Sequence, residues 1–391
     1  MKKRFGNVLL SFLFLIGIPL TASWAKGAET AADFQIRAFF KQGIDRAFDM
    51  DEKAGNAAIL QGIALDRDHP LGYSLLAMTH LFFYEMNFDE KERQERKKAM
   101  LRYATEAVAR GEKRIEKNPN DSQAYFAMSL AKITRVRLYL AEKSYWAIAQ
   151  ETSNIWDYLE KAKASAPENH DIYFVMGLLH FHLDQLPGVT RFLSSLWVTS
   201  GDRRKGLEEL ELAAKKGDLL KDLAKSELVS VYLNFENKPE RALAYARELK
   251  EKFPQNYNFT FGLASVLADL KRSDEAFLLA ADISRGIQSG IPPYRPELRS
   301  RYYLLMGRIF FDAGDYAKAE ENFQKIFLDS SPYNARNRAW AYVRMGMAAD
   351  LRKERKKAED YYQKALDVEG AEGLAQATAR QYQKTPYVNP P

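Results

Sequence analysis

The sequence contains no cysteine and only five histidines. Without cysteine the chain forms no disulfide, iron–sulfur cluster, thiolate zinc site or cysteine nucleophile, and it has no cysteine to carry a lipid. Beyond the N-terminal segment, no stretch reaches the ~18 uninterrupted apolar residues of a membrane span. The 391 residues are 46% apolar and 28% charged, which excludes a disordered or collagen-like chain and predicts a folded protein.

The net charge is small. The chain has 58 basic and 52 acidic residues, and the first 25 residues hold three of the bases and no acid. The remainder therefore carries a net charge of only +3. A nucleic-acid-binding surface normally concentrates basic residues on one face. We therefore expect no nucleic acid partner.

The N-terminus has the three parts of a secretory signal. Lys2, Lys3 and Arg4 precede an apolar run from Val8 to Leu20, and small or polar residues follow as far as Ala25. The run is shorter than the ~20 residues that span a bilayer. We expect cleavage after Ala25 and a periplasmic or secreted product with no stable membrane span.

Apolar residues in the rest of the chain recur every three or four positions, and alternating strand-like segments are scarce. This spacing is typical of amphipathic helices. Proline or glycine interrupts the pattern about every 30 to 40 residues, which indicates a repeat. The sequence predicts an all-α chain of helical repeats.

Two consecutive units in the last third share one pattern of large and small residues. Its positions are Tyr303, Met306, Gly307, Phe310, Ala319, Phe323 and Ile326 in one unit, and Tyr342, Met345, Gly346, Ala358, Tyr362 and Ala365 in the next. Small residues such as Gly307 and Ala319 let two helices approach closely while aromatic rings fill the gaps. The pattern resembles the tetratricopeptide repeat (TPR). The resemblance implies an all-α, right-handed superhelical solenoid of antiparallel helix hairpins.

Weaker units extend this architecture toward the N-terminus. Pro119 stands six residues before Tyr125, and Pro167 stands six before Tyr173, so each proline ends one hairpin and begins the next. With the degenerate units we expect seven or eight hairpins. The predicted divisions are a signal peptide (1–25), N-terminal TPR-like repeats (26–183), an apolar connector (184–206), C-terminal TPR repeats (207–370) and a tail (371–391).

The connector interrupts the repeat rhythm. It contains Leu186-Pro187, an apolar segment from Phe192 to Val198, and Gly201-Asp202-Arg203. This stretch resembles the insertion of a eukaryotic TPR family related to a yeast mitochondrial outer-membrane inclusion-body protein. The first half, with large predicted helices around Leu75 to Met86 and Leu138 to Trp156, also resembles the TPR helper of tripartite solute transporters, although it lacks the lipid-anchor cysteine common there. Asp202 is the predicted N-cap of the following helix.

Candidate chemistry is sparse. His180 and His182 are two residues apart, so a helix directs them away from each other rather than toward one metal. No P-loop, dinucleotide-binding, zinc-protease or nucleophile-elbow motif is present. We predict a protein that is not an enzyme and that binds neither metal nor cofactor.

Residues at the positions that line the inner, concave surface in the TPR family are the candidate binding site. The candidates are Phe126, Leu130, Phe174, Leu178, Phe181, Arg301, Arg308, Phe311 and Trp340. The apolar members are either covered, by the connector or by a tightly wound superhelix, or they line a cavity. Arg301 and Arg308 would supply a polar rim that binds a carboxylate.

Two functions fit these features. One is a non-catalytic exported TPR scaffold that mediates protein–protein interaction in the cell envelope. The alternative is a periplasmic binder of an apolar small molecule or lipid, similar to the transporter-associated TPR helper.

Overall fold

The computed structural model describes residues 30–183 and 202–388, and this part of the chain is all-α. The helices are α1 (Ala31–Phe48), α2 (Glu52–Leu65), α3 (Pro70–Met86), α4 (Glu90–Lys117), α5 (Ser122–Ala141), α6 (Tyr145–Thr152), α7 (Ile155–Ser165), α8 (Ile172–Leu183), α9 (Arg203–Lys216), α10 (Lys221–Asn234), α11 (Pro239–Lys252), α12 (Tyr257–Asp269), α13 (Ser273–Ser289), α14 (Arg299–Asp312), α15 (Tyr316–Ile326), α16 (Ala335–Leu351), α17 (Arg355–Leu366) and α18 (Leu374–Lys384). The predicted signal peptide and most of the predicted connector lie outside the described residues.

Consecutive helices pair into hairpins, and the hairpins stack in series. The pairs are α1/α2, α3/α4, α5/α7, α8/α9, α10/α11, α12/α13, α14/α15 and α16/α17, and α18 packs on the last of them. The described residues thus hold eight hairpins, at the upper end of the predicted number. The predicted solenoid of helix hairpins is confirmed.

Glycine sets the close approach of helices in the two C-terminal hairpins. A Cβ atom at Gly307 in α14 would overlap the ring of Phe323 in α15, and one at Gly346 would overlap the ring of Tyr362. Phe323 and Tyr362 are fully buried. The predicted packing of small residues against aromatic rings is confirmed at both places, because only glycine leaves room for the ring.

The α8/α9 hairpin uses a pair of glycines instead. A Cβ at Gly177 would lie 2.9 Å from the carbonyl oxygen of Gly206, so the two backbones touch directly. Asp202 caps α9 as predicted, since its side chain accepts a 2.9 Å hydrogen bond from the Lys205 amide. α9 therefore begins inside the predicted connector.

Contacts between residues about 200 positions apart join the N-terminal hairpins to the C-terminal half. The Asn256 side chain donates a 2.6 Å hydrogen bond to the carbonyl oxygen of Phe48. Farther along, the Tyr333 hydroxyl donates to Glu90 at 2.6 Å, and Lys143 pairs with Glu372 at 2.7 Å. The solenoid is wound tightly enough for its two halves to touch.

One hydrophobic core includes residues from Ile36 to Ile309, on both sides of the predicted connector. A second cluster, from Phe311 to Ala379, belongs to the last two hairpins and α18. The inner surface described next lies mainly along the first helices of successive hairpins.

Candidate functional site

A pocket of about 290 Å³ opens between three consecutive first helices, α10, α12 and α14. We call it the inner-face pocket. Its polar lining consists of Ser226, Ser230, Asn234, Asn258, Ser265, Arg301 and Arg308, and its apolar lining consists of Val229, Leu233, Ala246, Leu249, Phe259, Phe261 and Gly262. Hydroxyl, amide and guanidinium groups therefore share the pocket with aromatic and aliphatic side chains.

Arg301 is a cation without an acidic partner among the described residues. Its Nη1 donates to Oδ1 of Asn258, and its guanidinium lies 4.2 Å from the centroid of the Phe261 ring. A neutral amide and a ring face leave the positive charge uncompensated. Burial lowers the pKa of the Arg301 guanidinium from its usual value. Most of its five N–H donors remain available to a ligand.

Arg308, two turns further along α14, does have an acidic partner. Its Nε donates to Asp269 at 2.8 Å, and its Nη2 reaches both oxygens of the same carboxylate. Burial lowers the pKa of Arg308, but the charges of Asp269 and Asp312 outweigh burial and raise the pKa above its usual value. This bidentate ion pair compensates the charge of the Arg308 guanidinium within the protein.

Asp312 ends α14 next to this pair, and its Oδ2 lies 3.9 Å from Nε of Arg308. Oδ2 has no hydrogen-bond partner in the described structure. Burial raises the pKa of the Asp312 carboxyl to about 6, although Arg344 and Arg308 oppose the shift. Asp312 is therefore a titratable group at the edge of the inner-face pocket.

Several other charged side chains on the first helices are paired with carboxylates. Arg137 binds both oxygens of Glu85 at 2.7 Å, and Nε2 of His182 lies 2.8 Å from Glu227. His180 points to a different carboxylate, that of Glu209 at 2.6 Å, as its separation from His182 predicts. Within the described ranges no group of three or more histidine, aspartate or glutamate residues is placed to hold a metal ion. Of the two arginines that line the inner-face pocket, Arg301 is the one without a carboxylate partner among the described residues.

The structure separates the predicted site residues into two groups. Arg301 and Arg308 both line the inner-face pocket. The other candidates are buried in the cores or half-buried on their surfaces: Phe126, Leu130, Phe174, Phe181 and Phe311 are at most 6% exposed, and Leu178 and Trp340 are half-buried. The apolar rows thus pack within the solenoid, and their predicted role in binding stays a prediction.

The sequence interpretation missed the pocket residues on α12, although a signal for them exists. Pro254 stands six residues before Thr260, as Pro119 and Pro167 stand before their aromatic residues. The inner-face positions counted from Thr260 are then Asn258, Phe261, Ser265 and Ala268, and the first three line the pocket. Thr260 is not the large aromatic residue of the repeat pattern, so this weak unit gave no register from which its inner-face residues could be assigned.

A family model agrees with this architecture in the C-terminal part of the chain. Residues 298–368 match the family model described as "Tetratricopeptide repeat". No curated protein matches the chain. Two solved structures of a human IFIT1 dimer are similar to it. The structure with m7Gppp-AAAA has a TM-score of 0.43 and 12% identity, and the match covers 92% of this chain and 89% of IFIT1. The structure with PPP-AAAA has a TM-score of 0.44 and 14% identity, and the match covers 90% and 85%.

The described part of the chain is an all-α array of stacked helix hairpins. Its residues 298–368 are tetratricopeptide repeats. Among the described residues no helix has the length and apolar character needed to cross a membrane.

Proposed function

We propose that this protein is an exported, non-catalytic scaffold that binds a protein partner in the inner-face pocket. Tetratricopeptide repeats are typical of protein-interaction scaffolds, and the pocket lies on the first helices of successive hairpins. The observation that carries the proposal is the uncompensated charge of Arg301, which makes the pocket complementary to an anionic group.

A carboxylate of the partner fits this site. A buried cation without a counter-charge is costly, and an entering carboxylate relieves that cost through charge-assisted hydrogen bonds. Asn258 and the serine hydroxyls of α10 and α12 can bind backbone amides and carbonyls beside it. Phe261 and Leu233 provide apolar area for a neighbouring side chain.

The same lining disfavours an apolar small molecule or lipid as the ligand. Two guanidinium groups and five amide or hydroxyl side chains line the pocket, and a purely apolar ligand would leave the charge of Arg301 uncompensated. Native mass spectrometry of the purified protein is the direct check. A co-purifying lipid would favour the alternative function, binding of an apolar ligand, over the protein scaffold.

Export follows from the N-terminal sequence. Three bases, a short apolar run and small residues up to Ala25 form a signal. The intact mass of the protein recovered from the cell envelope tests this part separately, with a mature chain beginning at Lys26 as the expected result.

Capture of partners by crosslinking from envelope extract tests binding in the pocket. We would compare the wild type with Arg301→Gln and Arg299→Gln. Arg299 is exposed on the same helix and does not line the pocket, so its variant removes the same charge outside the site. The proposal expects one set of proteins with the wild type and Arg299→Gln and its loss with Arg301→Gln. Equal capture by all three chains would refute it.

A further inference from the structure

The chain folds its own C-terminal segment over the last two hairpins. After α18 ends at Lys384, Thr385, Pro386 and Val388 are exposed, whereas Tyr387 is half-buried. The backbone is extended at Thr385, and among the segment's side chains that of Tyr387 is the one partly buried. We call residues 385–388 the C-terminal segment.

The Tyr387 ring sits among aromatic residues from two other elements. Its centroid lies 6.2 Å from that of Phe311, in the last turn of α14, and 5.2 Å from that of Tyr382 in α18. Burial raises the pKa of the Tyr387 hydroxyl. Arg344 of α16 lies 5.5 Å above the Phe311 ring on the same side of the helices. The segment therefore crosses from α18 over the last turns of the preceding first helices.

The backbone of the C-terminal segment is held as well as its side chain. The amide of Tyr387 donates a 2.8 Å hydrogen bond to Oδ2 of Asp350. The Asp350 side chain is 1% exposed and also accepts from Arg355 at 3.1 Å and from the Tyr362 hydroxyl at 2.8 Å. A carboxylate fixed by two side chains of α17 thus presents an acceptor to an extended backbone.

The contacts of Tyr387 with Asp350, Phe311 and Tyr382 resemble those of a peptide bound in a groove. One fixed acceptor takes a backbone amide, and one aromatic recess takes a side chain, while the flanking residues of the segment remain in solvent. Phe311 and Asp350 also occupy two of the inner-face positions that the TPR pattern assigns. Phe311 lies ten residues from Arg301, which is about 15 Å along α14, whereas Arg308 of the inner-face pocket is only three residues away; the groove therefore adjoins the pocket but is distant from Arg301.

We infer that the groove formed by Phe311, Arg344, Asp350 and Tyr382 binds an extended peptide segment with an aromatic side chain, and that the C-terminal segment occupies it until such a partner displaces Tyr387. The inference rests on the proposed scaffold function and names a second contact for the partner. Because the segment is tethered directly to α18, its effective concentration in the groove is about millimolar or higher, and a free peptide competes poorly with it.

The test uses a fluorescent peptide with the sequence of residues 383–389 and a second peptide with alanine in place of its tyrosine. Binding is measured by fluorescence anisotropy to the full chain and to a chain ending at Lys384. We expect the shortened chain to bind the tyrosine peptide at least tenfold more tightly than the full chain does, and at least tenfold more tightly than it binds the alanine peptide.

Two full-length variants make the test independent of truncation. Tyr387→Ala should open the groove and bind the peptide like the shortened chain, whereas Tyr387→Phe keeps the ring and should behave like the wild type. Arg301→Gln in the shortened chain should leave peptide binding unchanged, which separates this groove from the inner-face pocket and from the proposed function.

The inference is overturned if the shortened chain and Tyr387→Ala, both with wild-type helical content, do not bind the tyrosine peptide. Equal binding of the two peptides, or equal binding by full and shortened chains, would overturn it too. Any of these three results would make Tyr387 a packing residue of the fold and not the occupant of a peptide-binding site.

Discussion

Asn256 and Phe48 lie 208 positions apart, and the side-chain amide of the first donates a 2.6 Å hydrogen bond to the carbonyl oxygen of the second. Asn256 is fully buried, and its Oδ1 also caps α12 by accepting from the Asn258 amide at 3.0 Å. One side chain therefore joins the first hairpin to the loop before α12. The rings of Phe48 and Phe253 pack at the same junction, with centroids 5.5 Å apart.

Replacing Asn256 with alanine should loosen this junction. The change leaves the Phe48 carbonyl without its donor and removes the cap of α12, a loss of roughly 2 to 4 kcal/mol. Hydrogen exchange of the amides in α1 and α2 should accelerate more than that in α16 and α17. Asn120→Ala, an exposed position, is the control. Uniform acceleration along the whole chain would contradict the local role of Asn256.

Gly307→Ala and Gly262→Ala should have opposite effects on stability. The new Cβ at 307 would overlap the Phe323 ring, and such overpacking costs about 1 to 3 kcal/mol. At 262 the nearest side-chain atom, of Val229, is 4.0 Å away. Alanine there should stabilise α12 by up to about 1 kcal/mol. The midpoint of urea unfolding measures both. A loss of stability at 262 equal to that at 307 would show that the packing argument is wrong.

The Asp312 carboxyl should make stability fall as pH rises through the range of its titration. Its pKa is 3.8 when unfolded and about 6 in the folded chain because of burial. Between these values the folded state holds a proton that the unfolded state has released, so raising the pH costs up to about 3 kcal/mol. The groups that face Asp312 are Arg344, Arg308, Asp269 and Lys271.

Asp312→Asn removes this titration. The unfolding free energy of the variant relative to the wild type should therefore increase between pH 4 and pH 7, as measured by urea unfolding at several pH values. Other acids titrate in both chains and cancel in the comparison. Parallel curves for the two chains would show that Asp312 titrates normally.

Packing within a hairpin was predictable from the sequence where the repeat is regular. Gly307 with Phe323 and Gly346 with Tyr362 could be assigned because contacts within a hairpin have fixed spacing. Arg301 and Arg308 followed from the same register. The C-terminal segment and the junction of Phe48 with Asn256 could not be foreseen, since contacts between distant parts of a solenoid depend on small rotations that accumulate over many hairpins.

The candidate site was likewise only partly predictable from the sequence. Sequence identified both arginines of the inner-face pocket but did not distinguish them, because the difference lies in a carboxylate 39 positions from one of them. Asp269 pairs with Arg308 and not with Arg301. This unequal pairing, rather than the presence of arginine, is why the proposed function assigns the partner's anionic group to Arg301.

The most direct measurement of the central claim is the dissociation constant of a captured partner for the wild type, Arg301→Gln and Arg299→Gln by titration calorimetry. Loss of a charge-assisted contact of about 1.5 to 3 kcal/mol predicts binding weakened roughly 10- to 150-fold by Arg301→Gln. Arg299→Gln should stay within twofold of the wild type. Arg301→Gln binding as tightly as the wild type would contradict the account.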